Sequence, residues 1–346
     1  ILDTHDNIIV TNINDEILSQ YKSKKQVYIN TKNLLNNYID KKSSTKDNHN
    51  IDILSNISSI DDAQKAKKLN SDGIGLFRTE YLYIGQKEAP SLDKQIDTYK
   101  KILKIMNGKK VVIRTFDFGS DKDVSFLDKK DEQNPNLGMR GIRLGLVEKE
   151  LLKTQLKALL SVQEEGILYI MIPLISHLSE ILDVKELLNT IELELNITKQ
   201  YKFGIMIETP SSALNASLLA THVDFFSICT NDLYQYTYAI DRLNEALESY
   251  YQPLDPTFLH LIKQIITAAD AAGIEVSMCG ELAGDLTAAP ILYGLGLKSF
   301  SMSNASILQI KELFSNLSHE SMVELSNRCL ALDNEKDVIK EVHKTV

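Results

Sequence analysis

Eight short apolar runs punctuate the chain, at residues 51–57, 73–77, 111–116, 167–173, 203–207, 224–229, 274–278 and 300–302. Each has strand length and is mostly β-branched or aromatic, the composition that favours a pleated, packed segment. Between them, residues 61–69 and 259–272 carry apolar positions at helical spacing, and Gly73 and Gly273 follow where a helix should stop. Strand alternating with helix predicts a parallel sheet with crossover helices. Eight repeats predict an α/β fold of the closed (β/α)8 TIM barrel type. The alternative, an open doubly wound sheet, is weakened because no glycine-rich dinucleotide fingerprint follows the first run.

The flanks read differently. Residues 8–10 predict a short strand and 14–24 a helix, which 26–29 either extends or breaks. Residues 41–50 contain no apolar side chain and predict an exposed loop or linker. Beyond the eighth run, 305–314, 319–332 and 333–346 predict closing helices. The division expected is an N-terminal segment at 1–50, made of a strand and a linker helix, followed by the barrel at 51–346.

At 346 residues and 43% hydrophobic content, one barrel with an appendage accounts for the length. The formal net charge of −9 argues against broad nucleic-acid binding but leaves room for an anionic small molecule held by a few arginines. Cys229, Cys279 and Cys329 stand far apart with no paired spacing, which argues against a disulfide framework or a zinc site. No apolar stretch has membrane-spanning length, and the first residues lack signal-peptide character, so the expected compartment is the cytoplasm and no membrane partner is expected.

Chemistry-bearing residues close several of the runs. In a parallel barrel the carboxyl ends of the strands form one face, where such residues converge. Glu208 and Asp232 follow the fifth and sixth runs. Two carboxylates at one mouth repel unless a hard cation sits between them or each pairs with an arginine, and spacing leaves both readings open. Arg78, Arg114 and Arg242 lie at or near the same face, where guanidinium forks match phosphate and carboxylate oxygens. A lone arginine there would pair with Glu80, Asp117 or Asp241; three around one mouth point to an anionic ligand. Cys279, beside Gly280, is placed for proton transfer or nucleophilic attack. Two glycine-containing loops, 117–122 and 134–143, bring Lys122, Arg140 and Arg143 as candidates for a mobile anion-gripping lid. None of the seven histidines falls in a defensible constellation.

Taken together, Gly75-Leu-Phe-Arg-Thr-Glu-Tyr-Leu-Tyr83, Ile113-Arg-Thr-Phe-Asp117, Asn134-Pro-Asn-Leu-Gly-Met-Arg140, Ile205-Met-Ile-Glu-Thr-Pro210, Asp224-Phe-Phe-Ser-Ile-Cys-Thr-Asn-Asp-Leu233, Gln235-Tyr-Thr237, Asp241-Arg242 and Met278-Cys-Gly-Glu-Leu-Ala-Gly-Asp285 resemble the C-terminal, phosphoenolpyruvate-binding domain of enzyme I of the bacterial sugar phosphotransferase system. The resemblance implies that Glu208 and Asp232 hold Mg2+. It implies that Arg78, Arg114, Arg140, Asn231 and Arg242 grip phosphoenolpyruvate, and that Cys279 protonates the enolate to give pyruvate. It further implies a homodimer, an N-terminal phosphohistidine domain as acceptor, and a histidine-containing phosphocarrier protein beyond it. Residues 1–13 resemble the last strand of that N-terminal domain and 14–42 its linker helix, so the chain is expected to be a fragment unable to phosphorylate itself.

Two positions depart from the family pattern: Cys229 and Ser120 stand where glycine is usual. The related pyruvate phosphate dikinases and phosphoenolpyruvate synthases share several of these motifs, and a barrel of that type is one alternative. A non-catalytic phosphoenolpyruvate sensor is another, though it has no need of a carbon acid such as Cys279. A self-sufficient lyase or aldolase would need a strand-end lysine or base, and none is found.

Overall fold

Strand β1 (Leu2–Asp3) pairs antiparallel with β2 (Ile8–Ile9), and helix α1 (Asp15–Leu35) follows. The Asn14 side chain accepts the Ile17 N–H at 2.8 Å and two acids open the first turn, so one orphan donor is capped and the dipole is met at this end. Residues 26–29 extend the helix. These elements form a compact unit, Ile1–Lys41, and Lys42–Val346 form a second. The computed structural model describes residues 1–3, 8–119, 122, 124–127 and 132–345. Ser120 and Asp121 of the 117–122 loop lie outside the described residues, as does Val346.

In the second unit the eight runs become β3 (Asp52–Ile57), β4 (Gly73–Arg78), β5 (Lys110–Arg114), β6 (Ile167–Ile172), β7 (Lys202–Ile207), β8 (Phe225–Ile228), β9 (Glu275–Met278) and β10 (Ser299–Met302). They form one closed barrel of parallel neighbours in chain order, with β10 pairing β3 to complete the ring. Leu76, Val112, Tyr169, Met171, Met206 and Phe225, drawn from β4 to β8, pack as one buried cluster together with Cys229 and Cys279. At the strands' amino ends the Tyr169 hydroxyl donates to Glu275 at 2.7 Å, and the Lys110 ammonium lies 3.2 Å from the same carboxylate. That end is closed by its own polar pairs, and the chemistry faces the carboxyl ends.

Two expectations need correction. The helix Ile60–Lys68 is not stopped by Gly73: Asn70, at φ 48°, turns the chain. Gly73 opens β4, where an added Cβ would lie 2.6 Å from the Lys110 carbonyl oxygen, so its role is close approach. Gly273 does stop its helix, Pro256–Ala272, in the left-handed conformation at φ 70° that costs glycine nothing. The polar run at 41–50 is only partly exposed. Ser43 and Thr45 are buried, the Lys46 N–H donates to Leu317 O at 2.9 Å, and Asp47 accepts the His319 N–H at 3.0 Å. A segment without apolar side chains can dock through backbone hydrogen bonds, which hydropathy does not register. The closing helices run Ile307–Asn316, His319–Leu330 and Glu335–Thr345.

Candidate active site

Glu208 follows β7 and is fully buried. Its Oε1 accepts the Leu174 N–H at 2.5 Å, and its Oε2 has no hydrogen-bond partner. Leu174 sits beyond β6 at φ 58°, a left-handed conformation that strains a residue carrying a Cβ. The strained turn is what aims its N–H at the carboxylate. Burial, with Asp117 and Asp232 nearby, pushes the Glu208 carboxyl well above the usual carboxylate range. Oxygens of Glu208 and Asp232 and the Cys229 sulfur all lie within 4.8 Å of one another. Neither carboxylate forms an ion pair among the described residues. A buried oxygen left unpaired costs about 1–3 kcal/mol, and a hard cation between two carboxylates removes that cost, so the donor set fits a divalent ion such as Mg2+ through Glu208 and Asp232.

The arginines divide into two kinds. Arg114, ending β5, is buried and held: its guanidinium lies 3.0 Å from Glu80 and 2.9 Å from Asp117. Arg140 lies 2.9 Å from the same Asp117 carboxylate, and its Nη1 donates to Asn136 at 3.2 Å. Burial alone would raise the Asp117 carboxyl, but Arg114 and Arg140 outweigh it and hold the group below its ordinary value. Asp117 thus holds two cations near Glu208. Arg78, ending β4, is exposed and makes no ion pair among the described residues, which leaves its fork open.

Asn231 lies in the first turn of the helix Thr230–Tyr238, donating from Nδ2 to Glu281 at 3.0 Å and accepting the Glu281 N–H at 2.9 Å. Arg242 lies 3.8 Å from the same Glu281 carboxylate, so its partner is Glu281 and not Asp241. Cys279 directly follows β9 and is 2% exposed. Hydrogen bonding with the Cys229 thiol, together with Ser227, Arg114 and Arg78, overcomes burial and brings Cys279 down to about 7. The same contact, with burial and Asp232, drives Cys229 well above its usual range.

The structure therefore brings Arg114, Arg140, Glu208, Cys229, Asp232 and Cys279 together, with Arg78, Asn231 and Arg242 around the rim. Arg143 takes no place at the mouth: it donates to the Leu137 and Gly138 carbonyls and to Ser176, pinning the 134–140 loop instead of offering a free charge. Sequence reasoning missed the Leu174 N–H, Glu281, and Tyr236, whose hydroxyl donates to Asn136 O at 2.6 Å. Tyr236 repeats the strand-end logic one turn into a helix; a backbone N–H leaves no mark on residue type.

Fold and mouth together define a class: a (β/α)8 barrel whose carboxyl face joins a cation-ready acid pair to arginines and a buried thiol. The chain belongs to the PEP-utilising enzymes, whose PEP-binding domain matches residues 32–319. It is similar to the phosphoenolpyruvate-protein phosphotransferase of Staphylococcus carnosus (strain TM300), 41% identical over 97% of this chain and 60% of that protein. The proteins of the same name from Mycoplasma pneumoniae and from Buchnera aphidicola subsp. Acyrthosiphon pisum are each 40% identical, over 99% and 100% of this chain and 60% and 62% of their own lengths. The chain thus spans about 60% of the length of these curated relatives. A crystal structure of a citrate lyase from Burkholderia xenovorans LB400 is 14% identical with a TM-score of 0.49, over 85% of this chain and 89% of that one.

Proposed function

We propose that this chain is the substrate-binding and catalytic part of a phosphoenolpyruvate-protein phosphotransferase. The observation that carries the reading is that one mouth holds both an unpartnered Glu208 oxygen beside Asp232 and the unpaired Arg78 guanidinium. Arg78, Arg114, Arg140, Asn231 and Arg242 grip the phosphate and carboxylate of phosphoenolpyruvate. Glu208 and Asp232 hold Mg2+, which when bound offsets negative charge on the substrate oxygens. As the phosphoryl group leaves for a histidine on a separate phosphohistidine domain, the buried arginines stabilise the enolate charge without reorganising. The Cys279 thiol gives its proton to the methylene carbon, and the keto acid pyruvate departs. The reading extends to a histidine-containing phosphocarrier as the next acceptor, to a homodimer and to a cytoplasmic location. Residues 1–50 are read as the end of the phosphohistidine domain with its linker helix.

Calorimetric titration of the metal-free protein with phosphoenolpyruvate, with and without Mg2+, tests this. Binding is expected to require Mg2+ in the wild type. Glu208→Gln and Asp232→Asn are each expected to lose the Mg2+-dependent increment with an unchanged circular dichroism spectrum, since each removes one of two protein ligands. Wild-type metal dependence in both variants would sink the assignment.

A further inference from the structure

Cys229 places a soft donor inside the acid pair. Its sulfur stands 3.5 Å from Asp232 Oδ2, and sulfur, Asp232 oxygen and Glu208 oxygen lie within 4.8 Å of one another. The arrangement is built in from two directions. The Cys229 N–H donates to Ile207 O at 3.1 Å, fixing its backbone beside the residue that precedes Glu208. Cys229 also stands at the N-cap of Thr230–Tyr238, so Asp232, three residues on, lies on the same turn. Independently of that cluster, the fully buried Glu208 Oε2 has no partner, while Oε1 is fixed by Leu174.

We infer that Glu208, Cys229 and Asp232 form a two-carboxylate, one-thiolate site that takes a thiophilic divalent cation of the zinc class in preference to Mg2+. This rests on the reading of Glu208 and Asp232 as cation ligands and adds the sulfur to them. Zinc binds sulfur at about 2.3 Å and carboxylate oxygen at about 2.1 Å; at a tetrahedral angle those arms set sulfur and oxygen about 3.6 Å apart. The 3.5 Å found between Cys229 and Asp232 matches that edge. Three protein donors leave the fourth position of such an ion open. Mg2+ demands oxygen ligands and gains nothing from the sulfur. As the metal–sulfur bond forms, the thiol proton passes to solvent. Cysteine spacing could not reveal this site, because its other two donors are carboxylates, one of them following a different strand.

Co2+ serves as the probe, since a thiolate ligand gives it a near-ultraviolet charge-transfer band. Metal-free wild-type protein, kept reduced, is expected to develop a saturable band on Co2+ addition. Zn2+ should displace the Co2+ at far lower concentration than Mg2+. Cys229→Ser and, as a second variant against misfolding, Cys229→Gly should abolish the band and lower the Zn2+ over Mg2+ preference tenfold or more, whereas Cys279→Ser should keep both. Glu208→Gln and Asp232→Asn should weaken Co2+ binding. A wild type with no band, or a band that survives Cys229→Ser or vanishes with Cys279→Ser, overturns the inference. Mg2+-dependent phosphoenolpyruvate binding alongside such a result would leave the proposed function standing, and a thiolate band unaffected by both carboxylate variants would remove the shared ligand reading as well.

Discussion

Cys279 is buried to 2% exposure, and its thiol faces the Cys229 thiol, the Ile228 carbonyl at 3.8 Å and the field of two arginines. In the proposed reaction, a group so placed contributes to proton delivery more than to ground-state binding. Cys279→Ala is therefore expected to bind phosphoenolpyruvate as the wild type does, while slowing hydrogen exchange at the pyruvate methyl group by about 10²- to 10⁴-fold, the usual span of acid–base catalysis. Nuclear magnetic resonance of the exchange checks it; an unchanged rate would assign the proton elsewhere. In chelator-treated protein, alkylation of Cys279 should rise through about pH 7 instead of near its ordinary 9, chiefly because of the Cys229 contact, so Cys229→Gly should move that midpoint upward. At this scale, placement was legible wherever a reactive side chain directly follows an apolar run, as with Arg114, Glu208 and Cys279. The left-handed Leu174 turn and the orphaned Glu208 oxygen were not, because neither a backbone angle nor a missing partner is written in residue identity.

The elements hold these groups through close approaches between neighbouring turns. An added Cβ at Gly280 would lie 2.0 Å from Thr230 Oγ1 and 2.6 Å from the Thr230 nitrogen. The second distance involves backbone, which a rotamer change cannot relieve. Gly280→Ala should thus destabilise the barrel by about 1–3 kcal/mol, as overpacking does, and should separate Cys279 from the helix that carries Asn231 and Asp232. Urea unfolding measures the first effect, and Thr230→Ser in the same background should recover little of it. A second element-scale joint lies at the start of β8. Asp224 Oδ2 accepts the Phe203 N–H at 2.8 Å and pairs with Lys199 at 2.9 Å. Burial works to raise this carboxyl, but the Phe203 N–H and Lys199 outweigh it and the group falls below its ordinary 3.8. A depressed acid contributes stability that is full above 3.8 and lost as pH falls through the folded value. Between pH 5 and pH 2 the wild type should lose stability more steeply than Asp224→Asn; parallel curves would show that the joint carries no proton linkage. Strand positions were readable within a residue or two, since continuous apolar runs mark strands covered on both faces. The docking of 42–50 and the stop at Asn70 were not, since both depend on tertiary partners.

Across the whole molecule, a net charge of −9 coexists with a mouth where cations are concentrated, so long-range attraction does little for the proposed anionic substrate and the proposed grip rests on the local arginines. The barrel gathers arginines, an acid pair and two buried thiols, and among the described residues no histidine joins them to accept the phosphoryl group. His49 and His319 stack on each other with ring centroids 4.6 Å apart, and His319 also meets the Tyr293 hydroxyl. His260 contacts the Leu330 carbonyl, and His343 lies in the last helix. Among the described residues no histidine hydrogen-bonds or ion-pairs with Arg78, Arg114, Arg140, Asn231 or Arg242. Phosphoryl transfer needs donor and acceptor held in line within near-contact distance, a positioning worth several kcal/mol. This chain, incubated alone with radiolabelled phosphoenolpyruvate and Mg2+, should therefore bind the substrate yet take up no stoichiometric acid-labile label. A phosphohistidine domain of the same family added in solution should become labelled slowly, because tethering would otherwise raise its effective concentration. Stoichiometric label on this chain, mapped to one of its own histidines, would show that an acceptor lies within these residues and that the barrel completes the transfer unaided.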